Sequence, residues 1–194
     1  MPAKIILIRH GETDWNMKKR YQGHADTELN ENGLRQARAL SERMKGEGVS
    51  KVFSSDSMRA YRFAGIIFPD INITKRPDLR ELDFGPLEGL TYEEAIERYG
   101  QAYRSWISDP HSGSLAGCES MAALKDRVWR AIGDIASTES GRTCAVVTHA
   151  GPIRVIISGI DRSMDFWEIK PESGGITVIE GSGSDFEIKS KGKR

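Results

Sequence analysis

Ile5-Ile6-Leu7-Ile8 is an unbroken apolar run, mostly β-branched, that stops abruptly at Arg9-His10-Gly11-Glu12. A short run of this kind, bounded by polar residues and glycine, suits an interior strand, and in α/β sheets the carboxyl ends of such strands are where ligands bind. The arrangement returns late in the chain, where Thr143-Cys144-Ala145-Val146-Val147-Thr148 leads into His149-Ala150-Gly151. Two buried strands that each deliver a histidine to their ends restrict the fold more than any other feature of the chain.

The segments between them alternate in period. Asn30 is a candidate cap for a helix carrying Leu34, Ala37, Leu40 and Met44, which Gly46 and Gly48 end. Residues 49–54 read as a second strand and 57–68 as a helix with Met58, Tyr61, Ala64, Ile67 and Phe68 on its apolar face. A weak third strand over 71–73 precedes Pro77 and an acidic, glycine-containing loop over 79–89. Further helices are expected from Thr91, over 119–136 and over 152–158, with a hairpin of 176–179 and 186–188 at the end. This order predicts an α/β three-layer sandwich, a mostly parallel sheet flanked by helices. We expect one domain over 1–194, a helical excursion over 85–117 that covers the sheet, and a frayed basic tail over 189–194.

The residue types at the strand ends suit phosphate chemistry. Arg9 keeps its charge and offers a planar fork of donors, while a neutral His10 offers a nitrogen able to attack phosphorus. An isolated Arg-His-Gly is more often a strand cap, so the remaining residues decide. Ser57 or Asp56 can cap the helix after the second strand, placing Arg59 in its first turn near both histidines. A phosphoryl group in transfer spreads charge over its oxygens, which Arg9, Arg59 and His149 would stabilise. A carboxyl group must also give up and retake a proton. On residue type alone Glu81, Glu12, Asp14, Asp83 and Glu88 all remain open for that task.

Neither histidine has the paired spacing of a metal site, and Arg9 would repel a divalent cation, so no metal or cofactor is expected. His24 and His111 lie in polar loops and read as surface residues, and Trp15 and Trp106 as packing residues. Lys plus Arg and Asp plus Glu balance at 28 each, so no global field recruits nucleic acid or a membrane surface. The first apolar run is too short for a secretory or membrane-spanning segment, and a cytoplasmic protein is expected. Cys118 and Cys144 are too few for a disulfide framework and read as reduced, non-catalytic thiols.

Leu7-Ile8-Arg9-His10-Gly11-Glu12-Thr13-Asp14-Trp15-Asn16 resembles the signature of the histidine phosphatase superfamily. Ser54-Ser55-Asp56 with Arg59-Ala60, Arg80-Glu81-Leu82-Asp83-Phe84-Gly85 with Leu87-Glu88-Gly89, and Thr148-His149-Ala150-Gly151 resemble its further motifs in the family's order. The resemblance implies a metal-independent phosphomonoesterase in which His10 carries the phosphoryl group. Arg9, Arg59, His149 and Asn16 would hold its oxygens, Glu81 would act as acid and base, and Gln22, Gly23 and Ala150 would line the substrate pocket. The acid phosphatase branch has an aspartate where this chain has Ala150.

Cofactor-dependent phosphoglycerate mutases resemble the core but carry a longer, more basic insert. Arg98 and Arg104 are scattered within a short excursion here, which favours a phosphatase over that alternative. Gly117-Cys118-Glu119-Ser120 and the run from Thr148 to Arg154 are similar to α-ribazole phosphatases of the cobalamin pathway, although Leu115-Ala116 replaces the usual proline and glycine approach. A non-catalytic phosphate-binding regulator would be expected to lack His10, Arg59, Glu81 or His149. The expected partner is a small phosphomonoester, not nucleic acid or membrane, and a homodimer is left open.

Overall fold

The first strand, β1 (Ala3–Arg9), is buried on both faces because its side chains alternate between two cores. Ile5 and Leu7 enter one core, and Ile6 and Ile8 the other. The computed structural model describes residues 1–108, 115–183 and 185–193. After β1 come α1 (Asp14–Met17), α2 (Glu31–Met44), β2 (Val49–Ser54), α3 (Met58–Ile67) and β3 (Ile73–Lys75). Then follow α4 (Tyr92–Ser108), α5 (Met121–Thr138), β4 (Thr143–Thr148), α6 (Ala150–Ile160), β5 (Ile176–Ser182) and β6 (Asp185–Lys193).

The sheet order is β3-β2-β4-β1-β5-β6; the first four strands are parallel, β5 is antiparallel to β1, and β6 is antiparallel to β5. Helices α2 and α3 pack on the face carrying Ile6, Ile8 and Val147, and α4, α5 and α6 contribute to the other core, making the expected three layers. Parallel strands need crossovers long enough to hold a helix, and each helical period in the sequence supplies one.

Register does most of the positioning. Arg9 lies opposite Thr148 in the β1/β4 pair, and the His10 amide donates to the Thr148 carbonyl at 2.9 Å, so the histidines after these strands become neighbours. In the β2/β4 pair Ser54 faces Val147, and the Ser55 amide donates to the Val147 carbonyl at 2.9 Å, which brings Ser55 and Ser57 to the same end.

Several expectations need correction. On α3 the expected Ala64, Ile67 and Phe68 are buried, but Ala60 and Phe63 complete the stripe in place of Met58 and Tyr61, which are 42% and 38% exposed. The third strand starts at Ile73, where pairing with Val52 begins, rather than at Ile71. The polar loop after β1 contains α1, which the Thr13 and Asn16 side chains cap reciprocally. Residues 189–193 are not frayed, because their backbone continues β6 alongside β5. The excursion contains α4, interrupted at Gly100, with Trp106 on its buried face. His111 and the rest of 109–114, within the expected excursion, lie outside the described residues. No helix among the described residues is long and apolar enough to cross a membrane.

Candidate active site

The His10 Nδ1–H donates to the Gly11 carbonyl at 2.7 Å, an atom that can only accept. This fixes the ring proton on Nδ1 and leaves Nε2 with a free lone pair. Burial holds the His10 pKa well below its ordinary value, and the Arg59 and Arg9 cations add to that. The ring is therefore neutral at physiological pH, the state a nucleophile needs.

The His149 ring stands edge-on to His10, with centroids 5.0 Å apart. Ser55 Oγ lies 2.9 Å and Ser57 Oγ 3.3 Å from its Nε2. With a serine hydroxyl donating to Nε2, the ring proton is on Nδ1, which is buried without a partner. Burial, then Arg59, depresses the pKa of His149 as well. Ser57 begins α3 but does not cap it, having turned its hydroxyl toward His149. Asp26 accepts from the Met58 amide instead, at 2.8 Å.

Arg59 is 1% exposed. Its Nη1 and Nη2 donate to the Ala25 and Gly23 carbonyls, both at 2.7 Å, so most of this fork shapes the loop instead of facing the cleft. Only its Nε is left buried and unpaired. Arg9 follows the same plan, with Nη1 donating to the Pro171 carbonyl at 2.7 Å and Nε buried without a partner. Burial lowers both guanidinium pKa values and the Glu81 charge opposes that; arginine remains a cation.

Glu88 pins the same loop from outside by accepting from the His24 and Ala25 amides at 2.6 Å. Gly23 is required there, since its φ is 50° and a Cβ would stand 1.9 Å from Glu88 Oε1. Gln22 is buried, its Oε1 accepting from Thr27 Oγ1 at 2.8 Å. Asn16 Oδ1 is taken by the cap of α1, and its amide nitrogen has no partner among the described residues.

Glu81 Oε1 accepts from its neighbour Leu82 N at 2.9 Å and from Gly151 N, in the first turn of α6, at 3.0 Å. The rival carboxylates are occupied elsewhere. Glu12 accepts from Asn30 and Asp83 from the Gly85 amide, while Asp14 is exposed in α1. Ala150 opens α6 beside His149. Among the described residues no group of three metal-ligating side chains forms a cluster. Burial pushes the Cys144 and Cys118 thiols up to about 12 and about 11, so neither is a thiolate at neutral pH.

Three contributors were not singled out from the sequence. Ser55 and Ser57 orient His149. Arg127 donates to the Asp78, Arg80 and Glu81 carbonyls at 3.1, 2.6 and 2.8 Å and pairs with Glu119 at 2.7 Å, holding the Glu81 segment in place. The signal was a charge within the Leu124, Val128, Ala131 stripe of α5. His24 is exposed, as expected, and its Nε2 lies 3.1 Å from the Glu81 carbonyl.

The family model described as histidine phosphatase superfamily, branch 1, matches residues 5–193. Phosphoserine phosphatase 1 of Hydrogenobacter thermophilus is 32% identical over 91% of this chain and 86% of its own. A metal-independent phosphoserine phosphatase of Arabidopsis thaliana is 39% identical over 79% of this chain and 67% of its own. The α-ribazole phosphatase structure from Shigella flexneri superposes with a TM-score of 0.88 over 98% of this chain and 96% of its own; at 24% identity it is similar in fold.

Proposed function

This chain belongs to the histidine phosphatase superfamily and is a phosphatase; from that premise we propose that it hydrolyses a small phosphomonoester through a phosphohistidine on His10. One observation carries the reading. Among the described residues, three buried nitrogens, Arg9 Nε, Arg59 Nε and His149 Nδ1, lack partners, and His10 is neutral with its Nε2 bare. Leaving buried donors unpaired costs stability, and phosphoryl oxygens are the acceptors that suit two guanidinium groups and an imidazole N–H.

In the first step His10 Nε2 attacks phosphorus, the P–O bond to the leaving group breaks, and protonated Glu81 gives its proton to the departing alkoxide. In the second step a water oxygen attacks phosphorus, the N–P bond breaks, and Glu81 takes the proton of that water. Arg9, Arg59 and His149 compensate the oxygen charge in both steps. Asn16, Gln22, Gly23 and Ala150 form the surrounding wall. The chemistry uses no metal. The expected compartment is the cytoplasm, where the two free thiols stay reduced.

For the substrate, the motif around Cys118 and Glu119 favours α-ribazole 5′-phosphate, and the named relatives favour phosphoserine. The test is hydrolysis of para-nitrophenyl phosphate with and without chelator, with acid-labile phosphate trapped on the enzyme. Turnover that survives chelation and loss of the trapped label in His10→Ala are expected. Chelator-sensitive turnover would overturn the mechanism.

A further inference from the structure

Arg80 stands beside the proposed proton donor, and the mechanism above does not use it. The backbone at Arg80 is extended, so neighbouring side chains leave it on opposite sides. Glu81 reaches the Gly151 amide, and Arg80 reaches Asp56. Its Nε donates to Oδ1 at 2.6 Å and its Nη2 to Oδ2 at 2.7 Å, two bonds from a planar fork to one partly buried carboxylate. Each partner holds the other ionised. The bond from Arg80 is the main cause that lowers the Asp56 pKa, and the bond to Asp56 is the main cause that raises that of Arg80.

Asp56 is an anchor within the site's own framework. It lies in the turn between Ser55 and Ser57, whose hydroxyls hold His149, and shortly before Arg59. Other bonds hold the backbone of the Glu81 segment: Thr148 Oγ1 donates to the Leu79 carbonyl at 2.7 Å, and Arg127 donates to the Arg80 and Glu81 carbonyls. Bonds to carbonyls fix where the segment runs but tolerate tilt about its own axis. A two-pronged fork is less tolerant, because both bonds weaken when the guanidinium plane turns. The pair therefore sets the rotation of the segment, and with it the direction in which Glu81 leaves the backbone.

We propose that Arg80 is a positioning residue which, anchored on Asp56, aims the Glu81 carboxyl group at the oxygen of the leaving group. The inference rests on the phosphatase reading above and adds to it the device that orients the proton donor. Arg80 acts on the chemistry through Glu81 alone, so its effect grows with the need of the departing oxygen for a proton.

The test compares para-nitrophenyl phosphate with phenyl phosphate, which share a ring and differ in the basicity of the departing oxygen. Wild type, Arg80→Gln, Arg80→Lys, Asp56→Ala and Glu81→Gln are assayed on both. The readout is the nitrophenyl-to-phenyl ratio of kcat/KM, which covers the steps up to departure of the phenol. Nitrophenolate leaves without help, whereas phenolate needs the Glu81 proton. Glu81→Gln should raise the ratio by about 100-fold, the scale of general acid catalysis, and Arg80→Gln by about 10-fold, through loss on phenyl phosphate. Arg80→Lys should fall between Arg80→Gln and wild type. Asp56→Ala should match Arg80→Gln, and combining the two should add nothing further, as for two halves of one device. Partial unfolding lowers both rates alike and does not move the ratio. An unchanged ratio in Arg80→Gln beside a raised one in Glu81→Gln would overturn the proposal. An unchanged ratio in Glu81→Gln would sink Glu81 as proton donor and the proposal with it. Failure of wild type to cleave either ester would instead sink the phosphatase reading itself.

Discussion

Glu81 Oε1 rests 3.0 Å from the Gly151 amide nitrogen, and a Cβ added to Gly151 would stand 2.1 Å from that oxygen. The carboxyl group is held by the start of a helix, at a contact only glycine allows. Gly151→Ala should therefore push the Glu81 carboxyl aside and lower kcat by about 100-fold, the scale of a 1 Å misplacement of a reacting group. Steady-state kinetics alongside circular dichroism checks this; wild-type kcat in a folded variant would show that Glu81 is not the proton donor.

His149 offers its Nδ1 proton only while a partner holds Nε2. Ser55→Ala removes the closer hydroxyl and leaves Ser57 at 3.3 Å. We expect a kcat loss of about 10-fold for Ser55→Ala and of 100-fold or more for His149→Ala, in line with removal of one transition-state donor. Equal losses from both would mean that Ser55 contributes more than ring orientation.

Both buried histidines have pKa values depressed below the ordinary 6.5. The unfolded chain binds more protons than the native one between those depressed values and 6.5, so stability is fully present above 6.5 and falls as the pH drops through that window. The slope should be about 1.4 kcal/mol per pH unit for each histidine. Urea melts from pH 8 to pH 5 measure it. Kinetics offer a second readout: kcat/KM should show no acid limb at 6.5 from protonation of His10.

Arg127 satisfies three carbonyls ahead of and within the Glu81 segment, and its side chain and that of Glu119 are 17% and 15% exposed. Arg127→Met takes the donor from the Asp78 and Arg80 carbonyls and leaves Glu119 with the Asp83 amide alone. A loss of about 3 kcal/mol is expected, the scale for breaking a buried pair from one side. Denaturant unfolding reads the stability loss, and a fall in kcat exceeding the fall in folded fraction reads the displacement of Glu81.

Much of this fold was legible because its signals are local. The unbroken apolar run of β1, the Asn30 cap of α2 and the 143–148 strand depend on residues adjacent in sequence, and each lies where the pattern placed it. The face of α3 was read in part: Ala64, Ile67 and Phe68 are buried as expected, while Met58 and Tyr61 are apolar without being buried, a distinction that periodicity does not carry. The tail was misread because a run of lysines resembles a solvated end until β5 offers its edge.

The site divides along the same line. The sequence by itself determined the chemistry available: two strand-end histidines, Arg9 beside one of them, Arg59 in the turn of a following helix, and a set of nearby carboxylates. Tertiary structure decided how those groups are used. It set His10 against His149 through the β1/β4 register, spent most of the Arg59 fork on the Gly23 and Ala25 carbonyls, and gave Glu81 to the Gly151 amide. The reason is physical. Which donors are satisfied and which remain free depends on contacts between segments many residues apart, and no local pattern records them.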